Sequence, residues 1–175
     1  VLYDDGIYLY GISSNGGIEN GGTLYRIKKD GSDYSVIHNF ILETGAFPYG
    51  GVISDGTYLY GMTVGGGIGV SGTTYKILPD GSEYSVIVYF TGNPDGEVGY
   101  GSLAFDGTYL YGMTNNGGTS NYGTIFKVKT DGTEYQKLLD FNLSNGGAPL
   151  GSLILVGTKL YGIASYGPDP YLGEI

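Results

Sequence analysis

Short apolar runs alternate with polar residues at a spacing of two, and glycine interrupts them repeatedly. Tyr75 and Ile77 fall on one side of such a run, with Thr74 and Lys76 on the other. Phe126 and Val128 against Lys127 and Lys129 repeat the pattern. A period of two places successive side chains on opposite faces, so these runs predict half-buried strands rather than helix. Turn signals bound them. From residue 51 onward the reading gives a first strand over residues 51–54, closed by Asp55-Gly56. A second strand covers residues 58–63 and leads into Gly65-Gly66-Gly67. A third covers residues 73–78, closed by Asp80-Gly81, and a fourth covers residues 83–90 before a loop with Pro94-Asp95-Gly96. Asp-Gly suits a tight hairpin, because glycine takes positive φ freely and aspartate tolerates it.

The same pattern returns with a period of about 50 residues. Asp5-Gly6-Ile7-Tyr8-Leu9-Tyr10-Gly11 recurs as Asp55-Gly56-Thr57-Tyr58-Leu59-Tyr60-Gly61 and as Asp106-Gly107-Thr108-Tyr109-Leu110-Tyr111-Gly112. A weaker copy begins at Val156-Gly157. Asp30, Asp80 and Asp131 keep step, as do Phe40, Phe90 and Phe141. Four antiparallel strands per repeat describe the blade of a β-propeller, whose two faces are covered only by stacking on other blades. The expected fold is therefore all-β, a β-propeller-like repeat of four-stranded antiparallel blades, about 3.5 of them at ~50 residues each. Residues 1–175 read as a single repeat domain, with repeats over about 1–50, 51–101, 102–151 and a partial 152–175. Three arrangements fit an unfinished last blade: a small four-bladed ring, a piece of a longer array, or a blade completed by a neighbouring subunit through strand addition.

Composition narrows the chemistry. The 35 glycines among 175 residues do not fall at every third position, which excludes collagen. They also argue against helix bundles, since each glycine costs a helix about 1 kcal/mol. With no cysteine and one histidine, disulfides, thiolate metal sites, a cysteine nucleophile and a multi-histidine metal centre within one chain are excluded, and no cofactor is expected. The net charge of −9 disfavours nucleic acid and anionic lipid as partners. No apolar run reaches the ~18 residues of a membrane span. The chain starts at Val1 with no visible signal peptide, and is expected to be a processed product or part of something longer.

The repeated Asp-Gly-x-Tyr-Leu-Tyr-Gly-Met-Thr, the glycine loop, and the run Tyr122-Gly123-Thr124-Ile125-Phe126-Lys127-Val128-Lys129-Thr130-Asp131-Gly132 resemble the GloVer (Gloeo_Verruco) tandem repeat over nearly the whole chain. That resemblance implies bacterial secreted or surface-anchored proteins, hence an extracellular or cell-surface location, and it carries no agreed enzymatic activity or catalytic residue.

Several residues invite a chemical reading. His38 stands in the fourth strand where the other copies have Val88 and Leu139; without an identified partner it reads as a half-buried strand residue rather than a base. The turn aspartates read as hairpin residues rather than calcium ligands. The glycine loops lack the Lys-Ser/Thr and following helix of a phosphate site. Arg26, Lys76 and Lys127 share one phase and are expected to pair with Asp33, Glu83 and Glu134. The tyrosines at 8/10, 58/60 and 109/111 read as inter-blade packing with contact surface to spare. Asn142-Leu143-Ser144 matches an N-glycosylation acceptor. Asn115, Asn116, Asn121, Tyr122, Tyr166 and Tyr171 are the candidate ligand or interface contacts. These features point to a non-enzymatic structural or interaction module that self-associates, or meets other surface proteins, through an unfinished terminal blade, building a filament or surface layer. The alternative is a lectin-like propeller for polysaccharide. A propeller lyase or hydrolase would need carboxylates or His38 converging at one mouth.

Overall fold

The computed structural model describes residues 1–167. Tyr171, a candidate contact residue, lies outside them. Three antiparallel sheets follow one another along the chain. The first blade runs β1 (Tyr3–Asp4), β2 (Tyr8–Ser13), β3 (Thr23–Lys28) and β4 (Ser35–Asn39). A short strand β5 (Ala46–Pro48) precedes the second blade: β6 (Ile53–Ser54), β7 (Leu59–Gly65), β8 (Thr73–Ile77) and β9 (Ser85–Tyr89). The third is β10 (Ala104–Phe105), β11 (Tyr109–Thr114), β12 (Thr124–Lys129) and β13 (Gln136–Asp140). A two-stranded unit, β14 (Ile154–Val156) and β15 (Lys159–Tyr161), ends the described chain.

Register repeats with the sequence. Leu9 faces Ile27, Leu59 faces Ile77 and Leu110 faces Val128 across the second and third strands. Each third–fourth strand pair carries an irregularity at the same place, after Leu24, Thr74 and Ile125. The first Asp-Gly closes a tight turn, with the Asp55 N–H donating to the Tyr58 carbonyl at 3.3 Å. The second makes a wider one: the Leu78 N–H donates to the Ser82 carbonyl, and Glu83 adopts φ +54°. Strand four therefore starts at Ser85, two residues later than the pattern predicts.

The linkers hold more structure than the sequence suggests. After each fourth strand the chain crosses to the next blade and bonds to both. The N–H groups of Phe47, Val98 and Ala148 donate back to Gly21, Ser71 and Tyr122 carbonyls at 2.6, 3.0 and 2.8 Å. To do so, these three residues take φ of +58°, +63° and +47°. Forward, Ala46 and Pro48 pair with Gly65 and Thr63 of β7, while Glu97 exchanges backbone bonds with Asn116.

The core lies between blades. Tyr10, Leu24 and Phe40 of the first blade pack on Val52, Leu59, Tyr75 and Ile77 of the second. Tyr60, Met62 and Phe90 of the second pack on Leu103, Leu110, Phe126 and Val128 of the third. A smaller cluster joins Ala104 and Met113 to Leu153. The second and third blades thus both send Leu and Tyr/Phe to their predecessor, and the second sends Tyr, Met and Phe to its successor where the third sends Ala104 and Met113. Among the described residues the Tyr75 hydroxyl is buried with no hydrogen-bond partner, and the third blade carries Phe126 at that position. An unpaired buried hydroxyl is unfavourable, so Tyr75→Phe is expected to raise stability by up to about 1 kcal/mol in urea unfolding.

Candidate interaction surface

The turn aspartates are consumed locally. Asp55 Oδ1 accepts from the N–H groups of Thr57 and Tyr58, and Oδ2 accepts from the Tyr60 hydroxyl at 2.7 Å. Asp5 and Asp106 repeat the arrangement with Tyr10 and Tyr111. Partial burial pushes the Asp55 carboxyl up, but these hydrogen bonds outweigh it and hold it below the usual range. Burial, then the bond to Asp5, pushes the Tyr10 hydroxyl up to about 12. Asp30, Asp80 and Asp131 accept from the backbone and hydroxyl of Ser32, Ser82 and Thr133. Among the described residues no group of three or more His, Asp or Glu is placed to hold a metal ion.

The strand-three cations find different partners from those the phase suggests. Arg26, Lys76 and Lys127 lie over the rings of Tyr8, Tyr58 and Tyr109, 4.7, 4.9 and 4.4 Å from their centroids. Tyr58 and Tyr109 in turn donate to Glu83 and Glu134, both at 2.6 Å. Asp33 and Glu134 pair with Lys28 and Lys129 instead. The cause is register: Arg26 stands directly opposite Tyr10, which leaves Tyr8 as its diagonal neighbour on the same face. These are half-buried cation–π contacts and solvent-screened ion pairs, each of small energetic weight.

His38 is a packing residue at the boundary of the first two blades. Its ring stacks on Tyr84 of the second blade at 4.0 Å and 11°, and meets Phe40 edge-on at 4.8 Å. Among the described residues Nε2 is buried without a partner. Burial lowers its pKa to about 4, so the imidazole is neutral and only a weak proton acceptor. The folded pKa lies below the ordinary value of 6.5, so the neutral ring's contribution is complete above that pH. It is lost as pH falls toward 4. Equilibrium unfolding between pH 7 and 4 is expected to show this loss, and His38→Val, the residue type at position 88, to remove most of it. The depressed turn carboxylates add their own loss from about pH 5 downward, so the histidine is read as the difference between the parent and His38→Val, above all between pH 7 and 5.

The candidate contact residues gather around the junction of the third blade with the two-stranded unit. Asn115 Nδ2 donates to the Pro149 carbonyl at 3.2 Å, across that junction. Asn116 bonds through its backbone to Glu97. Asn121, at φ +61°, accepts from the Gly117 N–H and so closes its own loop. The Tyr122 carbonyl takes the Ala148 N–H. Tyr166 pairs with Gly147 and leaves its side chain exposed. Asn142 Oδ1 accepts from the Ser144 N–H and hydroxyl at the exposed acceptor motif.

Several apolar side chains of the first blade and of the two-stranded unit are more exposed than their counterparts in the second blade. The first blade carries Leu2, Leu9, Tyr25, Ile27 and Tyr34 where the second carries Val52, Leu59, Tyr75, Ile77 and Tyr84. Val52, Leu59, Tyr75 and Ile77 are no more than 4% exposed, whereas Leu2 is 53% and Tyr34 58% exposed. In the two-stranded unit, Ile154, Tyr161 and Ile163 are exposed where Tyr60 and Met62 are buried.

The Gloeobacter/Verrucomicrobia repeat model matches residues 1–175. No curated protein matches the sequence. Among solved structures, a chain of a nidogen/laminin complex superimposes with a TM-score of 0.64 at 17% identity, over 91% of this chain and 53% of its own. A putative TolB from Agrobacterium tumefaciens gives 0.62 at 13% identity, over 95% and 53%. TolB from Acinetobacter baumannii gives 0.56 at 13% identity, over 97% and 40%. The chain spans about half the length of the first two and less of the third. These likenesses concern the β-propeller-like fold.

Proposed function

The chain belongs to the Gloeobacter/Verrucomicrobia repeat family, and from that premise we propose that it is a non-catalytic extracellular interaction module that self-associates into a filament or layer. One observation carries the reading: the apolar residues of successive blades bury one another in clusters that span each blade-to-blade contact, so stacking on a like blade is the contact this repeat is built to make. The non-catalytic part is supported by the fate of the titratable groups. The shifted turn aspartates are each held by bonds within their own repeat, and His38 is neutral inside an aromatic stack. Sedimentation velocity from low to high micromolar concentration tests the assembly. Mass rising with concentration is expected, and a strictly monomeric species throughout would overturn it. Surface labelling of intact source cells tests the location, with exclusive labelling after lysis as the contrary result.

A polysaccharide-binding reading has one observation in its favour. Tyr49 and Tyr100 occupy equivalent linker positions, with ring centroids 5.4 Å apart, and Tyr49 is exposed. Exposed paired aromatic rings suit sugar stacking. A glycan array with the protein and Tyr49→Ala decides it: binding lost in the variant supports it, and no binding by either removes it.

A further inference from the structure

Successive blade junctions are built alike, but the first carries His38 where the second carries Val88. The two residues hold the same register, opposite Leu24 and Thr74 of their third strands. In the first junction the His38 ring lies flat on Tyr84, with 4.0 Å between centroids and 11° between planes. Tyr135 is the counterpart of Tyr84 in the second junction. Both hydroxyls donate to a carbonyl of the preceding linker, Thr44 at 3.1 Å and Asp95 at 2.9 Å. Both rings stack on the third-strand ring of their own blade, Tyr75 and Phe126, each at 5.6 Å.

Valine is smaller than an imidazole and offers no flat face. Where His38 covers Tyr84, the second junction instead has an open groove of about 250 Å³, lined by Ile87, Val88, Tyr89, Asp95, Gly132 and Tyr135. We propose that this groove binds a small, flat nitrogen heteroaromatic ring, seated on Tyr135 as the His38 imidazole is seated on Tyr84, with a ring N–H donating to the Asp95 carboxylate. The site lies between two described blades and depends on neither the self-association reading nor the Tyr49–Tyr100 pair.

Size, shape and charge agree on that class of ligand. A cavity of about 150 Å³ holds a benzene-sized ring, so the groove has room for one such ring and little more. Ile87, Val88 and the Tyr135 ring supply apolar walls. The carboxylate distinguishes this junction from the first, because Asp95 stands where the first linker has Thr44. Asp95 Oδ2 accepts from the Thr91 hydroxyl at 2.8 Å, and among the described residues no donor reaches its other oxygen. The neighbouring carboxylate, Asp140, is paired with Lys137 at 2.6 Å. Burial first, and then the charges of Asp95 and Asp140, push the Tyr135 hydroxyl up, so the field at the groove is negative. A ring with an N–H donor is therefore favoured over a hydrocarbon ring of the same size, and a positively charged one is favoured most.

Amide NMR of the 175-residue chain titrated with imidazole at pH 7 tests the site. Saturable shifts are expected at the amides of residues 87–89, 95, 132 and 135, with a Kd on the order of 1 mM for so small a ring. Val88→His places a ring of the chain's own in the groove, as in the first junction, and is expected to abolish those shifts. Asp95 is half-exposed, so Asp95→Asn is expected to keep the native spectrum and to weaken imidazole binding about tenfold. No saturable shift in the parent would overturn the proposal. Shifts that persist in a folded Val88→His would place the ring elsewhere and overturn it as well. Unchanged affinity in Asp95→Asn would remove the contact to the carboxylate, and the proposal with it, whether or not Val88→His folds.

Discussion

Alanine at Gly81 is expected to destabilise the protein far more than alanine at Gly31, although the two glycines occupy the same turn of successive blades. Their φ angles are +92° and +87°, so the conformational cost of a Cβ is common to both, about 1 kcal/mol. What differs is the neighbour. A Cβ at Gly31 meets nothing within 4 Å, whereas one at Gly81 falls 2.2 Å from the Ile37 carbonyl oxygen of the preceding blade. Backbone cannot yield as a side-chain end does, so the second blade must move off the first, opening the cluster of Tyr10, Leu24, Phe40, Leu59 and Tyr75. The expected total is about 3 kcal/mol at Gly81 against about 1 kcal/mol at Gly31, read from urea unfolding midpoints. Equal costs would mean that the turn is not held against its predecessor.

The second large effect is expected where the linkers of successive blades converge. Gly50 and Gly101 have backbone as their nearest neighbours: a Cβ at Gly50 lies 2.1 Å from the Gly101 carbonyl oxygen, and one at Gly101 lies 2.0 Å from that of Gly151. Gly151 has nothing within 4 Å. Neither Gly50 nor Gly101 takes a positive φ, so the penalty is steric alone. Gly50→Ala and Gly101→Ala are each expected to cost about 3 kcal/mol, while Gly151→Ala is expected to change the unfolding midpoint little. A comparable loss at all three positions would locate the effect within the individual strands rather than in the approach of one blade to the next.

Much of this architecture is legible in the residues. The period-two alternation marks strands three, with Tyr75 and Ile77 buried to 0% exposure on one face. The first Asp-Gly of each repeat marks a tight turn because its carboxylate can bond two N–H groups and a tyrosine hydroxyl at once. Of the tyrosine stripes, Tyr10 and Tyr60 are buried between blades, whereas Tyr58 and Tyr109 carry Lys76 and Lys127 on their rings and Tyr161 is exposed. The linker bonds were hidden because Phe47, Val98 and Ala148 share a left-handed backbone without sharing a side-chain type. The available signal was the in-phase glycines two residues earlier, Gly45, Gly96 and Gly146, all at positive φ. The partners of Arg26, Lys76 and Lys127 were hidden for another reason: a shared phase gives the face but not the diagonal neighbour, which depends on register.

The amide NMR spectrum of residues 45–101 prepared alone asks whether one repeat can stand without the others. Leu59, Tyr75 and Ile77 on one face, and Tyr60, Met62 and Phe90 on the other, would all meet water in that peptide. Poorly dispersed resonances and coil-like circular dichroism are the expected result, with native dispersion only in the 175-residue chain. A folded, dispersed single repeat would contradict the view that each sheet is held in place by the sheets beside it.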